Sequence, residues 1–221
     1  MRKDILIINE TLEQFPENKI SVIPNIAPHY AIEANASQKT IITVARFAPQ
    51  KRTTLLLEAF ALLKERFPEW KCIWYGERTT PEYWSSIEQI VREKGLKDCV
   101  LFPGATDNVP SKLKNASIFA FPSEYEGFSL ALAEAFAMGL PAVGCKDCPS
   151  VNSLIKNESN GLLTDPTPEA FAEGLAKLMG SEELRRKYGA QGREDMKPYS
   201  ADAVWGAWDK LIRELIGKQA A

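Results

Sequence analysis

Glu126 and Glu134 stand with seven residues between them in the run FAFPSEYEGFSLALAEAFAMGLPAV, from Phe119 to Val143. Taken singly, each reads as a glutamate facing solvent. The neighbouring residues change that reading. Ile118, Phe119, Ala120 and Phe121 form an apolar run closed by Pro122, the pattern of a buried strand. Ser123 to Gly127 is rich in turn residues and carries Glu124 and Glu126. Leu130 to Met138 is made of strong helix formers, with Ser129 placed to cap it and Gly139 and Pro141 to stop it. A helix that opens just past the carboxyl end of a strand turns the amides of Gly127, Phe128 and Ser129, and its dipole, toward one spot. That spot attracts an anion such as a phosphate. A carboxylate at its mouth would repel the anion, unless the carboxylate grips hydroxyl groups instead. Ala131, Ala133 and Ala135 surround Glu134 and let a ligand lie close to the helix. The pattern therefore suits a ligand with phosphate at its centre and sugar hydroxyls at both ends.

A phosphate site also needs cations. Ile41 to Ala45 reads as a buried strand, and the basic loop Arg46-Phe47-Ala48-Pro49-Gln50-Lys51-Arg52 comes directly after it. Arg46 and Lys51 become candidates if this loop lies beside Glu126. The rest of the chain supplies the reason to place it there. Strands at Cys72–Tyr75, Val100–Phe102, Ile118–Phe121, Ala142–Val143 and Leu162–Leu163 alternate with helical stretches. Thr53 or Thr54 is expected to cap a helix reaching about Phe67. Another runs from Pro81 to Lys94, with Trp84, Ile87 and Val91 on a core-facing stripe. Further helices are expected around Val109–Asn115, Val151–Ile155, Pro168–Met179, Glu182–Gln191 and Ala201–Ile216. This alternation predicts an α/β fold: a doubly wound, Rossmann-like parallel sheet of about six strands with helices on both faces. In the strand order 3-2-1-4-5-6 the first and fourth strands are neighbours at the topological switch point, where such sheets bind ligands. Arg46, Lys51, Glu126 and the helix start would converge on one crevice.

Composition narrows the class. The net charge of −2 provides no broad polyanion-binding surface, which argues against nucleic acid as a partner. The apolar run Ile5–Ile8 is too short for a signal peptide or a membrane span. Cys72 and Cys99 read as small core thiols, and Cys145-Lys146-Asp147-Cys148 as a reduced loop pair in a cytoplasmic protein, with a redox CxxC as the alternative. A zinc site would want a second ligand pair, and the single histidine, His29, is distant and reads as a linker residue. Asp147 and Asp165 read as turn residues. No GxGxxG stands after the first strand, which disfavours a dinucleotide dehydrogenase.

Residues 1–38 differ from the rest of the chain. Ile5–Ile8 could be a strand, Thr11–Phe15 a helical turn and Ile20–Ile23 an extended piece, with a small, polar linker at Ala34–Lys39. The segment is too short for a core of its own.

The combination of ARFAPQKR, PSEYEGFSLALAEAFAMGLPAV and SNGLL resembles the C-terminal half of the retaining glycosyltransferases of the "group 1" family, which have the two-domain GT-B fold. The resemblance implies that residues 39–221 form a nucleotide-sugar donor-binding domain, and that residues 1–38 are the end of an N-terminal domain and the interdomain connector. It implies a catalytic set of Glu126, Arg46 and Lys51, with the two cations on the donor diphosphate and Glu126 near the donor sugar. Glu134 would hold ribose hydroxyls, Gly127, Phe128 and Ser129 would meet phosphates and sugar, and Gly76 and Phe102 would border the base. The implied partner is a nucleotide diphosphate sugar, with no metal or cofactor called for. The implied process is cell-surface polysaccharide biosynthesis by transfer of a hexose-type sugar to an acceptor hydroxyl. The acceptor domain is expected to be missing, the chain alone inactive, and any peripheral membrane association a property of the full-length protein. An apolar strip near Trp205 and Trp208 would be left bare for that domain. Ala45 and Asn152 depart from the Gly and Glu common in the family. The alternatives are a non-catalytic nucleotide-sugar-binding or interaction module, and another sugar-phosphate enzyme on the same fold.

Overall fold

A computed structural model describes residues 21–219. The expected strand at Ile5–Ile8 and turn at Thr11–Phe15 lie outside those residues. Six strands form one parallel sheet: β1 (Thr40–Val44), β2 (Lys71–Tyr75), β3 (Val100–Gly104), β4 (Ile118–Phe121), β5 (Ala142–Cys145) and β6 (Gly161–Thr164). Their order is β3-β2-β1-β4-β5-β6, as the sequence pattern predicts. β1 pairs with β2 along its length and with β4 through Ile41↔Ile118 and Ile42↔Phe119. The crossovers carry α1 (Thr53–Ala61), α2 (Pro81–Glu93), α3 (Val109–Leu113), α4 (Leu130–Ala137) and α5 (Pro149–Leu154). After β6 come α6 (Pro168–Met179), α7 (Glu182–Asp195) and α8 (Ala201–Gln219).

β4 and β5 carry no charged or hydroxyl side chain because both faces of the sheet are covered. Every residue of β4 and β5 is buried. Successive side chains go to opposite faces of a strand. Ile118 and Ala120 accordingly join a core with Leu56, Phe60, Trp70 and Phe171. Phe119 and Phe121 join the other, with Leu132, Phe136 and Met138.

Local boundaries differ from the sequence expectation at several places, α1 and α5 among them. α1 ends at Ala61, and residues 62–66 are turns. The chain must leave the helix there to bring Trp70, wholly buried, under the sheet. The N-cap of α1 is Arg52 rather than a threonine. α5 starts at Pro149, two residues earlier than expected, since proline suits a first helical turn.

The connector ahead of β1 is strapped to the domain. Ala27 donates to the Tyr199 carbonyl at 2.8 Å, and Ala34 to that of Met138 at 2.7 Å. The fully buried Arg185 donates from Nε to Ala36 O at 2.8 Å and from Nη1 to Leu178 O at 2.7 Å.

Candidate functional site

The site lies where β1 and β4 end side by side. Beyond β1 the chain runs through Arg46 and Phe47 into a short 3-10 turn, Pro49–Lys51. Beyond β4 it runs through Ser123–Ser129 into α4. Because the strands are adjacent, the loops meet: Glu124 N donates to Gln50 O at 2.9 Å. Just beyond this backbone tie, Lys51 Nζ donates to Glu126 Oε1 at 2.5 Å. Both side chains are largely covered, 15% and 12% exposed. The cation and carboxylate singled out 75 positions apart are thus partners. A bond between charged groups contributes about 1.5–3 kcal/mol net. The repulsion expected between Glu126 and an anion at the helix start is offset by Lys51.

The start of α4 is built as the sequence predicts. Ser129 Oγ accepts from Leu132 N at 3.3 Å. The amides of Gly127, Phe128 and Ser129 donate to no atom among the described residues. They are unsatisfied donors at the positive end of a helix. The Phe128 ring packs on Tyr199 with centroids 5.5 Å apart. Ser150 Oγ donates to Glu126 O at 2.8 Å, which holds this loop from the β5 side.

Glu134 is half-buried on α4, and its carboxylate has no ion pair or hydrogen bond among the described residues. Burial raises its pKa above the ordinary 4.5. Tyr30 titrates above its ordinary value too, through burial first and the charge of Glu134 second. Arg46 is exposed, and its side chain has no partner among the described residues.

Gly76 has a packing role. A Cβ there would come 1.9 Å from Ala45 O, so the glycine allows the end of β2 to lie against the residue preceding Arg46. Phe102 stands edge-on to Phe47 at 5.5 Å and to Trp84 at 5.3 Å, in an aromatic cluster at the ends of β1 and β3. The structure thus joins Lys51 to Glu126 and brings Gly127–Ser129 beside them in sequence. Gly76 sits against the Ala45–Arg46 backbone, and Phe102 belongs to the aromatic cluster. A surface pocket lined by Ala27, His29, Ala137 and Met196 contains none of the predicted residues.

Sequence reasoning missed the third loop. Arg52 binds Asp147 through both nitrogens, Nη1 to Oδ1 at 2.9 Å and Nη2 to Oδ2 at 2.8 Å. It also lies 3.4 Å from Glu124 Oε1. The Asp147 hydrogen bond holds the Arg52 guanidinium above its ordinary pKa. Asp147, read as a turn residue, therefore ties the β5 loop to the β1 loop. Arg52 stands in the left-handed region, at φ 49° and ψ 46°. Such a conformation costs a residue bearing a side chain about 1 kcal/mol. Asn152 closes the same loop through Nδ2 to Lys146 O at 2.5 Å. Cys145 and Cys148 are free, buried thiols, and burial pushes Cys145 up to about 12. Its reactive thiolate is scarce at neutral pH. Among the described residues no cluster of three or more His, Cys, Asp or Glu side chains could hold a metal.

This architecture is that of the doubly wound, Rossmann-like α/β proteins. Residues 29–195 match the family of glycosyl transferases group 1, and the chain belongs to that family. It is 29% identical, over 97% of its length, to an exopolysaccharide phosphotransferase of Streptomyces coelicolor, of which it covers 24%. A crystal structure of a mutant of Staphylococcus aureus TarM, in complex with fondaparinux, α-GlcNAc-glycerol and UDP, superposes with a TM-score of 0.80. Identity is 25%, with 92% of this chain and 41% of that one covered. The C-terminal domain of a group 1 family protein, LpcC, from Francisella tularensis superposes at 0.68 with 25% identity, covering 77% of this chain and 89% of that one. The chain spans less than two thirds of the length of the first curated relatives it matches.

Proposed function

We propose that this chain is the donor-binding half of a retaining glycosyltransferase, with a nucleotide diphosphate sugar as its ligand. The observation that carries the reading is the Lys51–Glu126 pair beside three undirected amides at the start of α4. A diphosphate supplies the acceptors those amides lack and competes with Glu126 for Lys51. Arg46, exposed and with no side-chain partner among the described residues, adds a second cation. Charge on the departing diphosphate then meets fixed positive groups, the arrangement that stabilises a leaving group as its bond breaks. Glu126, released from Lys51, is free to accept from donor-sugar hydroxyls. Glu134 has an unfilled carboxylate further along α4, suited to ribose hydroxyls.

Transfer to an acceptor hydroxyl needs a second domain, and the partial coverage of the relatives fits that need. α8 offers it a surface: Trp205 is 63% exposed and Trp208 44%, with Ile212, Leu215 and Ile216 bare on the same helix. We place the protein in the cytoplasm, where nucleotide sugars are made. No helix among the described residues is long and apolar enough to cross a membrane. Any contact with a membrane surface would come through the complete protein.

Calorimetric titration of the chain with UDP, GDP and ADP tests the reading. Heat of binding with at least one is expected, and silence with all three sinks it. A second reading has one observation in its favour: the chain matches a quarter of a relative named for phosphotransfer. There the domain would be a nucleotide-sugar-binding module without turnover, or part of another sugar-phosphate enzyme. Transfer by the complete protein from a bound donor separates the two.

A further inference from the structure

Arg52 is the one described residue that is both left-handed and tied by its side chain to two other loops. A side chain in that region is retained where its surroundings over-determine it. Here the surroundings are the site itself. Arg52 N donates to Pro49 O at 2.9 Å and closes the turn that ends in Lys51, while Arg52 O accepts the first helical bond of α1 from Leu56 N at 3.3 Å. One left-handed residue therefore separates the turn bearing Lys51 from the helix behind it. Its guanidinium meets Asp147 from the β5 loop and Glu124 from the β4 loop, two residues before Glu126. The carbonyl of Glu126 is held in turn by Ser150.

We infer that Arg52 is a positioning residue: its fork to Asp147, with Glu124 alongside, sets the register at which Lys51 meets Glu126. The strap resists lysine substitution, because a single ammonium cannot reproduce two parallel bonds to one carboxylate. The inference rests on the reading of Lys51 and Glu126 as donor-site residues only for its functional consequence. The register itself is a property of the free chain.

Replacing Arg52 by glycine relieves the backbone and removes the strap together. A purely structural residue at this conformation would give a glycine variant with equal or better stability and an unchanged site. The expected result is different. In a double-mutant cycle of Lys51→Met and Glu126→Gln, followed by chemical denaturation without ligand, the coupling between the two residues falls by at least half in the Arg52→Gly background, while the melting temperature is held or raised. Asp147→Asn, which leaves the backbone alone, lowers the same coupling, and Arg52→Lys rescues less than half of it. UDP affinity of Arg52→Gly drops about fivefold, within the range of couplings between neighbouring residues. Unchanged coupling in both Arg52→Gly and Asp147→Asn overturns the inference whatever UDP does. Lost coupling in a chain that never binds a nucleotide upholds the strap and overturns the donor site instead.

Discussion

Glu126 and Glu134 belong to one loop-helix unit, yet they meet opposite conditions. Glu126 is covered and paired with Lys51. Glu134 is half-buried, unpaired among the described residues, and titrates above its ordinary range. One carboxylate is satisfied before any ligand arrives, and the other is left at a cost. The difference teaches that, on the proposed reading, a donor would act in two ways along this loop and helix: it would break an existing interaction at Glu126 and complete a missing one at Glu134.

The largest expected effect tests the paired end. Lys51→Ala should weaken nucleoside diphosphate binding by about thirtyfold to a hundredfold, the loss of one charge-assisted contact and exposure of Glu126 to the anion. Calorimetry reads it, and a loss below threefold would place the phosphates elsewhere. The next effect tests the unpaired end. Glu134→Gln should cost about tenfold in affinity for a nucleoside diphosphate, the value of a hydrogen bond to a charged group, and nothing for inorganic pyrophosphate. Equal losses for both would remove the ribose role and dissolve the contrast.

A smaller effect of opposite sign would sharpen it. Glu126→Gln frees Lys51 of its internal partner, so nucleoside diphosphate without sugar should bind about threefold more tightly, a fraction of the net value of the pair. Weaker binding would mean that Glu126 supports the phosphate rather than competing with it. The smallest effect is on stability. The pKa of Glu134 is raised in the folded chain, so between 4.5 and that higher value the folded form binds more protons than the unfolded one. Unfolding free energy then falls as pH rises through this window. Glu134→Gln should raise the melting temperature at pH 7, with a gain that fades as pH falls through this window and is largely gone below 4.5.

The sheet order could be read because alternation and handedness leave few topologies, and this order brings Lys51 beside Glu126. The helix start could be read from Ser129 because a cap is a local interaction. What escaped was non-local. Asp147 has its partner 95 positions away, so nothing near it distinguishes a strap from a turn residue. Arg52 adopts a conformation that propensity assigns to glycine or asparagine. Arg185 carries a charge on a helix and is nonetheless fully buried, held by carbonyls from the connector and the end of α6. Residues 62–66 include good helix formers, and only the buried seat of Trp70 explains why the chain leaves α1 early.

The bare face of α8 has a practical corollary. Of five tryptophans, Trp70 and Trp74 are sealed in the core, Trp84 is partly covered, and Trp205 and Trp208 stand in water. The chain thus carries an optical gauge of its own last helix. Iodide should quench the emission of the last pair and spare the core pair. Any protein that settles on α8 should shift that emission to the blue and shield it, with no label attached.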